Sequence, residues 1–168
     1  MPLVLSPSQT SGPMYGFALM FEGCQNAVAP GSPGAVVIRG SVVDADARPI
    51  DHPHCFVEVW DGDQLARCRA DAAGEFQVVV RKPEAGATPD GEPLAPALNV
   101  TVFGVGILKQ MQTRLYFPDE AAANERDAIL ARVPADRRHT LIAAPTGEAE
   151  LRFDVRVRGA DETVFFAF

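Results

Sequence analysis

The strongest constraint on the fold is a stretch near the C-terminus, ELRFDVRVRG at residues 150–159, in which apolar and polar residues alternate strictly. The apolar positions are Leu151, Phe153, Val155 and Val157, and the polar ones are Arg152, Asp154, Arg156 and Arg158. Successive side chains of a β-strand point to opposite faces, so this period of two predicts a strand with one buried and one solvated face.

Other strands are predicted where β-branched and aromatic residues cluster between Pro and Gly, at residues 35–44, 54–61, 74–82 and 98–104. A turn containing Asp44, Asp46 and Pro49 separates the first two, so we expect a β-hairpin or a neighbouring pair. Residues 94–120 predict a strand, a Gly turn, a second strand and a helix start. The GVG at 104–106 then indicates a hairpin turn, since no Lys-Ser/Thr pair follows as in a phosphate loop.

One helix is predicted at 119–133, preceded by Pro118, with acidic residues in its first turn and Pro134 at its end. A shorter helical piece is expected at 136–143. About seven short strands with one helix predict a mainly β fold, an antiparallel β-sandwich with one helical excursion. We expect a single domain over 1–168, with an N-terminal arm at 1–20 and the sandwich at 35–168. The apolar C-terminus, with Phe at 165, 166 and 168, should dock on another surface.

Composition excludes several classes of function. Fifteen Lys and Arg against 22 Asp and Glu give a net charge of −7, which argues against nucleic acid as a partner. No apolar run approaches the roughly 18 residues of a membrane span. The N-terminus lacks the basic region of a signal peptide, so we expect a cytoplasmic protein. Cys24, Cys55 and Cys68 are odd in number without C-x-x-C spacing, which predicts reduced thiols.

The most suggestive metal-binding cluster is DHPHC at residues 51–55, with His52, His54 and Cys55. His-x-His on a strand would place both rings on one face, as transition-metal sites often require. Pro53 interrupts the strand, however, and no distant third ligand is evident, since His139 lies in a polar context. A free-standing metalloenzyme using this cluster is therefore a hypothesis of low rank.

A resemblance to a known family indicates more about function than these local patterns do. It rests on PSQTSGPMYGFAL at 7–19, CFVEVWD at 55–61, TRLYFPDEAAAN at 113–124, RRHTLIA at 137–143 and LRFDVRVRGADETVFFAF at 151–168. Together these segments resemble the alpha chains of intradiol ring-cleaving dioxygenases over nearly the whole sequence. The resemblance implies a β-sandwich that pairs with a homologous beta chain, several pairs forming a hetero-oligomer. In that family the beta chain holds a non-haem Fe(III) through two Tyr and two His and opens a catechol ring with O2.

The resemblance also implies that this chain binds no iron and has no catalytic residue of its own. The H-x-H of the iron-bearing chains falls on Ala97, Leu98 and Asn99 here. The ligand tyrosines fall after Trp60 and after Lys82 and Pro83, yet the sequence has no Tyr between positions 15 and 116. Without phenolate and imidazole donors in one shell, Fe(III) is not held.

By the same resemblance, the N-terminal arm reaches the partner's active site and lines its substrate pocket. The positions concerned are Thr10, Gly12, Pro13, Met14, Tyr15 and Val105. Family alpha chains have Tyr at the position of Met14 and Arg at that of Val105, and both groups could orient a carboxylated catechol. Either other groups such as Arg114 or partner residues fix that carboxylate, or the preferred catechol differs, or Met14 and Val105 only pack.

A second hypothesis treats the chain as a non-catalytic β-sandwich binding or assembly module descended from the family. An iron-bearing homologous partner would favour the subunit role, and a partner without H-x-H would favour the module. With both termini apolar, we expect poor solubility when the chain is expressed alone.

Overall fold

The computed structural model describes residues 18–50, 55–104, 107 and 109–167. The strands within them are β1 (Ala35–Val43), β2 (Phe56–Trp60), β3 (Leu65–Arg69), β4 (Glu75–Arg81), β5 (Gly86–Ala87), β6 (Pro93–Leu94), β7 (Ala97–Phe103), β8 (Met111–Tyr116), β9 (Ala144–Gly147), β10 (Glu150–Arg152) and β11 (Val155–Arg156). One short α-helix, α1 (Ala121–Asn124), lies between 3-10 turns at Pro118–Glu120 and Leu130–Arg132, and a further 3-10 turn spans Arg138–Leu141.

Two sheets face each other across the main core. In the first, β1 pairs with antiparallel β4 on one side and with parallel β10 and β11 on the other, and β9 adds to β10. The second has the order β3, β2, β7, β8, all antiparallel. Their inner faces supply the buried core, with Ile38, Val78 and Val155 from the first sheet and Val59 and Leu98 from the second. The predicted mainly β sandwich is confirmed.

The expected pairing of strands 35–44 and 54–61 is wrong. Both strands exist, as β1 and β2, but they lie in different sheets. Both edges of β1 are already occupied, by β4 and by β10 with β11. The turn after β1 closes on β1 itself, because the Asp44 carboxylate accepts hydrogen bonds from the backbone N–H groups of Asp46 and Arg48 and Val43 bridges to Pro49.

The alternating C-terminal stretch is two strands rather than one. Leu151, Phe153 and Val155 are buried as the alternation predicts, but the pairing stops between β10 and β11. The break lies beside Gly40 of β1, where a Cβ atom would overlap the carbonyl oxygen of Phe153. The Asp154 carboxylate there accepts hydrogen bonds from the backbone and hydroxyl of Ser41, so a side chain replaces the missing ladder contacts.

The long helix predicted at 119–133 is also wrong, because the segment breaks after α1. The carboxylate of Asp127 turns inward and accepts hydrogen bonds from the N–H groups of Ile129 and Leu130, at 2.9 and 2.7 Å. Local bonds of this kind compete with the helical pattern. The shorter piece expected at 136–143 is present as the 3-10 turn Arg138–Leu141.

The helical excursion (residues 118–141, between β8 and β9) and the C-terminal segment cover the outer face of the second sheet. A second apolar cluster there joins Ala97 and Tyr116 to Leu130, Val133 and Leu141. Phe166 packs against this cluster, and its N–H bonds to the carbonyl of Gln112 at 2.8 Å. The described part of the apolar C-terminus therefore docks on this chain's own sheet. No helix within the described ranges is long and apolar enough to cross a membrane.

Candidate functional site

An apolar cavity of about 470 Å³ lies between the outer face of the second sheet, the excursion and the C-terminal segment. The sheet contributes Asn99 and Arg114, and the remaining walls come from Ile129, Arg132, Val133, Pro134, Val164, Phe166 and Ala167. A volume of this size is within the range of small-molecule sites. Three separate parts of the chain thus enclose a space with an apolar wall and a polar floor.

Strand alternation puts Asn99 on this floor. Leu98 and Val100 point into the main core, so Ala97 and Asn99 face the other way. Across the β7/β8 ladder, Asn99 stands opposite Arg114 and Ala97 stands opposite Tyr116. Position 99, which the resemblance assigns to the second imidazole of the family's iron site, therefore carries an amide beside a guanidinium.

Tyr116 is the phenol on this face, and its contacts fix it in a structural role. The side chain is fully buried, and its hydroxyl donates a hydrogen bond to Asp127 Oδ1 at 2.9 Å. Burial raises the pKa of Tyr116 well above its usual range; the nearby Arg114 guanidinium opposes this shift, and the adjacent Asp127 carboxylate adds to it. The hydroxyl therefore remains a protonated hydrogen-bond donor, unlike the anionic phenolate that binds ferric iron.

A second cavity lies where the chain that follows Trp60 meets the chain around Lys82 and Pro83, next to the segments to which the resemblance assigns the family's ligand tyrosines. Residues 61–64 and 81–84 line this polar cavity of about 510 Å³. Gln64 joins them, since its Nε2 donates to the Arg81 carbonyl at 2.6 Å and its Oε1 accepts from the Arg81 N–H at 2.8 Å. The Asp61 carboxylate bonds within its own turn, where it accepts hydrogen bonds from the backbone N–H groups of Asp63 and Gln64.

These residues do not fit Fe(III). The floor of the apolar cavity offers one amide and a cationic guanidinium, which repels a metal cation. In the part of the chain that the structure describes, no group of three or more His, Cys, Asp or Glu side chains converges. Hard ferric iron requires anionic oxygen and imidazole donors, which the described lining of this cavity lacks.

The two arginines of the cavity differ in how they are held. Arg114 places its guanidinium 5.5 Å from the ring centroid of Tyr116, and its Nε is buried with no hydrogen-bond partner among the described residues. Arg132 lies at the exposed rim and reaches Glu92 only at 3.5 Å. A surface pair of this kind contributes little to stability.

A partly buried ion pair anchors the start of the described chain to the second sheet. Arg67 on β3 bonds to the Glu58 carboxylate on β2 at 2.6 and 2.7 Å, with 15% and 16% of the two side chains exposed. Arg67 Nη1 also donates to the carbonyl of Leu19 at 3.0 Å, and the Arg67 N–H bonds to the Cys24 carbonyl at 2.7 Å. The end of the predicted arm, at Leu19, and the residues just after it are thus held at a defined point of the sheet.

The pocket residues predicted from sequence, Thr10, Gly12, Pro13, Met14, Tyr15 and Val105, lie outside the described residues, as do His52 and His54. Cys55 is buried in the core, and none of the three cysteines forms a disulfide. His139 is exposed. Sequence reasoning missed Asn99 and Arg132 as lining residues. It also missed the buried Asp127, which ends the charged run Glu125, Arg126 and Asp127 and therefore gave no local signal of its burial.

Comparison with solved structures identifies the fold. The fold is similar to the dioxygenase domain of a dioxygenase carbohydrate-binding protein fusion from Streptomyces sp. SirexAA-E, with a TM-score of 0.61 and 20% identity over 81% of this chain and 88% of that one. It is also similar to an intradiol ring-cleavage dioxygenase from Tetranychus urticae, with a TM-score of 0.60 and 12% identity over 95% and 98% of the two chains. The fold is that of the intradiol dioxygenases.

Sequence relatives identify the family within this fold. The chain is 33% identical to the protocatechuate 3,4-dioxygenase alpha chain of Pseudomonas putida, over the full length of both, and 36% identical to that of Burkholderia cepacia, over 96% of both. The chain belongs to this family of protocatechuate 3,4-dioxygenase alpha chains. The first alignment extends over 204 positions against 168 residues here, so that relative has segments that this chain lacks. No protein-family model matches the sequence.

Proposed function

We propose that this chain is the iron-free alpha subunit of a protocatechuate 3,4-dioxygenase of the cytoplasm. It pairs with a homologous beta subunit that holds Fe(III), and the pair consumes protocatechuate and O2 to give 3-carboxy-cis,cis-muconate in the breakdown of aromatic compounds. The relatives are named as chains of protocatechuate 3,4-dioxygenase, which supports this enzyme activity. They are named alpha chains, which supports a second, partner chain. We take residues 1–168 as one intradiol-dioxygenase-like domain.

The observation that carries this proposal is the chemistry of the outer sheet face. Asn99 and Arg114 occupy the cavity floor, and Ala97 packs against Tyr116 in the neighbouring cluster. This face forms the walls of a half-open cavity of small-molecule size, and its described residues lack the donors for ferric iron. A chain of this family built in this way is suited to support a metal centre held elsewhere.

The contribution of this chain to the shared substrate pocket is the N-terminal arm. Thr10, Gly12, Pro13, Met14 and Tyr15 would line the partner's pocket, with Val105 from the β7/β8 turn. The anchoring of Leu19 by Arg67 supports this role, because an arm that crosses to a partner needs a fixed origin. Binding energy from such positioning groups is used to orient the substrate.

Two alternatives remain. In the first, suggested by Met14 and Val105, the chain pairs with a beta chain that acts on a catechol other than protocatechuate. In the second, the chain is a binding and assembly module without a catalytic partner. O2 uptake that is faster with catechol than with protocatechuate would favour the first. A co-purifying partner that contains no iron would favour the second.

The experiment is to co-express the chain with a homologous iron-bearing partner and compare the full-length pair with one lacking residues 1–17. We expect the shortened pair to assemble and keep its iron, while kcat/KM for protocatechuate falls at least about tenfold, or about 1.4 kcal/mol of transition-state stabilisation. Iron per pair and the size of the assembly are the controls. An unchanged kcat/KM would contradict a pocket role for the arm.

A further inference from the structure

The cavity on the outer sheet face combines positive charge with an apolar wall. Arg114 lies on its floor and Arg132 at its rim, and its described lining contains no carboxylate. The other walls include Val133, Val164 and Phe166, whose side chains offer no hydrogen bonds. An enclosed space of this composition favours a ligand with one anionic end and an apolar body.

Arg114 has unused hydrogen-bonding capacity at this site. Its Nε is buried and finds no acceptor among the described residues, although the side chain as a whole is only half-buried. A buried donor without a partner is unfavourable, and the Arg114 Nε is not committed to a hydrogen bond elsewhere in the described chain. The guanidinium presents its donors in a planar fork that matches the two oxygens of a carboxylate.

We propose that this cavity binds a small aromatic carboxylate without catalysing its conversion. The carboxylate bonds to Arg114, with Arg132 adding charge at the rim, and the ring lies against the apolar wall. The volume of about 470 Å³ accommodates a single ring with its carboxylate. This proposal goes beyond the pocket role of the arm, and it requires no iron.

The alternative ligand for Arg114 is an acidic side chain of a partner protein. Enclosure favours the small ligand, because the sheet, the excursion and the C-terminal segment of this same chain form three sides of the cavity. The two occupants are separated by measuring ligand binding and partner association on the same variants.

The test is a calorimetric titration of the full-length chain, purified with its partner where it is not stable alone, using benzoate as the probe. Benzyl alcohol serves as the neutral probe of similar shape. We expect benzoate to bind at least about tenfold more tightly than benzyl alcohol, and Arg114→Gln to weaken benzoate at least about tenfold. Arg132→Gln should weaken it about threefold, and Arg48→Gln, at an exposed arginine paired with Asp46, should leave it unchanged.

Arg114→Lys is included in case Arg114→Gln does not fold, since it keeps the charge and loses the fork. It should also bind benzoate more weakly than the unmodified chain, with an unchanged melting temperature. The proposal is overturned if benzoate up to about 10 mM does not bind, or if neither Arg114 variant alters binding. It is equally overturned if the Arg114 variants lose only partner association, which would assign the cavity to a partner carboxylate.

Discussion

Asp127→Ala should lower the free energy of unfolding by about 3 to 4 kcal/mol, because several buried donors lose their acceptor together. The carboxylate accepts hydrogen bonds from the N–H groups of Ala95, Ile129 and Leu130, at 2.8, 2.9 and 2.7 Å, and from the Tyr116 hydroxyl at 2.9 Å. Asp127 is fully buried, so water does not replace these bonds. Urea denaturation followed by circular dichroism measures the change.

Asp127→Asn should cost less, about 2 kcal/mol, since the amide keeps one acceptor oxygen but brings an NH2 group toward donors. Asp136→Ala is the matched control at an exposed acidic residue, and it should change stability by less than about 0.5 kcal/mol. If Asp127→Ala were as mild as this control, Asp127 would not be what holds the excursion onto the outer sheet face.

Arg67→Met should have the second large effect, on stability and on the function of the assembled pair. It leaves the partly buried Glu58 carboxylate without its ion-pair partner, which should cost about 2 kcal/mol, less than for a fully buried charge. It also removes the donor to the Leu19 carbonyl, at the point where the predicted arm joins the sheet. We expect kcat/KM of the co-expressed pair to fall with iron content unchanged.

The double variant Glu58→Gln with Arg67→Met separates these two effects. Removing the unpaired charge should recover most of the lost stability, while the Leu19 carbonyl still lacks its donor. Denaturant midpoints and protocatechuate-dependent O2 uptake are measured on both variants. Activity that returns together with stability would mean that the anchor at Leu19 does not position the arm.

The fold was predictable from sequence where a local pattern determines it. The alternation at residues 150–159 identified the buried Leu151, Phe153 and Val155. It did not indicate the break between β10 and β11, which depends on the close approach of the distant Gly40 to the Phe153 carbonyl. The pairing of β1 failed for a similar reason, because neighbours from remote parts of the chain occupy both its edges.

The site was predictable only in part. Resemblance placed Ala97 and Asn99 at the family's H-x-H, and strand alternation explains why these residues share the outer face. No local pattern indicated that Arg132 and Phe166 would meet Arg114 there, since the three come from separate segments. The helix predicted at 119–133 had a convincing helical composition. The helix prediction failed because Asp127 accepts hydrogen bonds from Leu130 in its own loop and from Tyr116 on β8. Helix propensity is a local property and does not include such tertiary contacts.

The most direct test of the central proposal is the iron content of this chain, purified alone and purified with its homologous partner, together with protocatechuate-dependent O2 uptake. We expect iron and activity only in the paired sample, at one iron per pair. Stoichiometric iron and O2 uptake in the isolated chain would contradict the proposal, because they would require a ferric site that Ala97 and Asn99 do not provide.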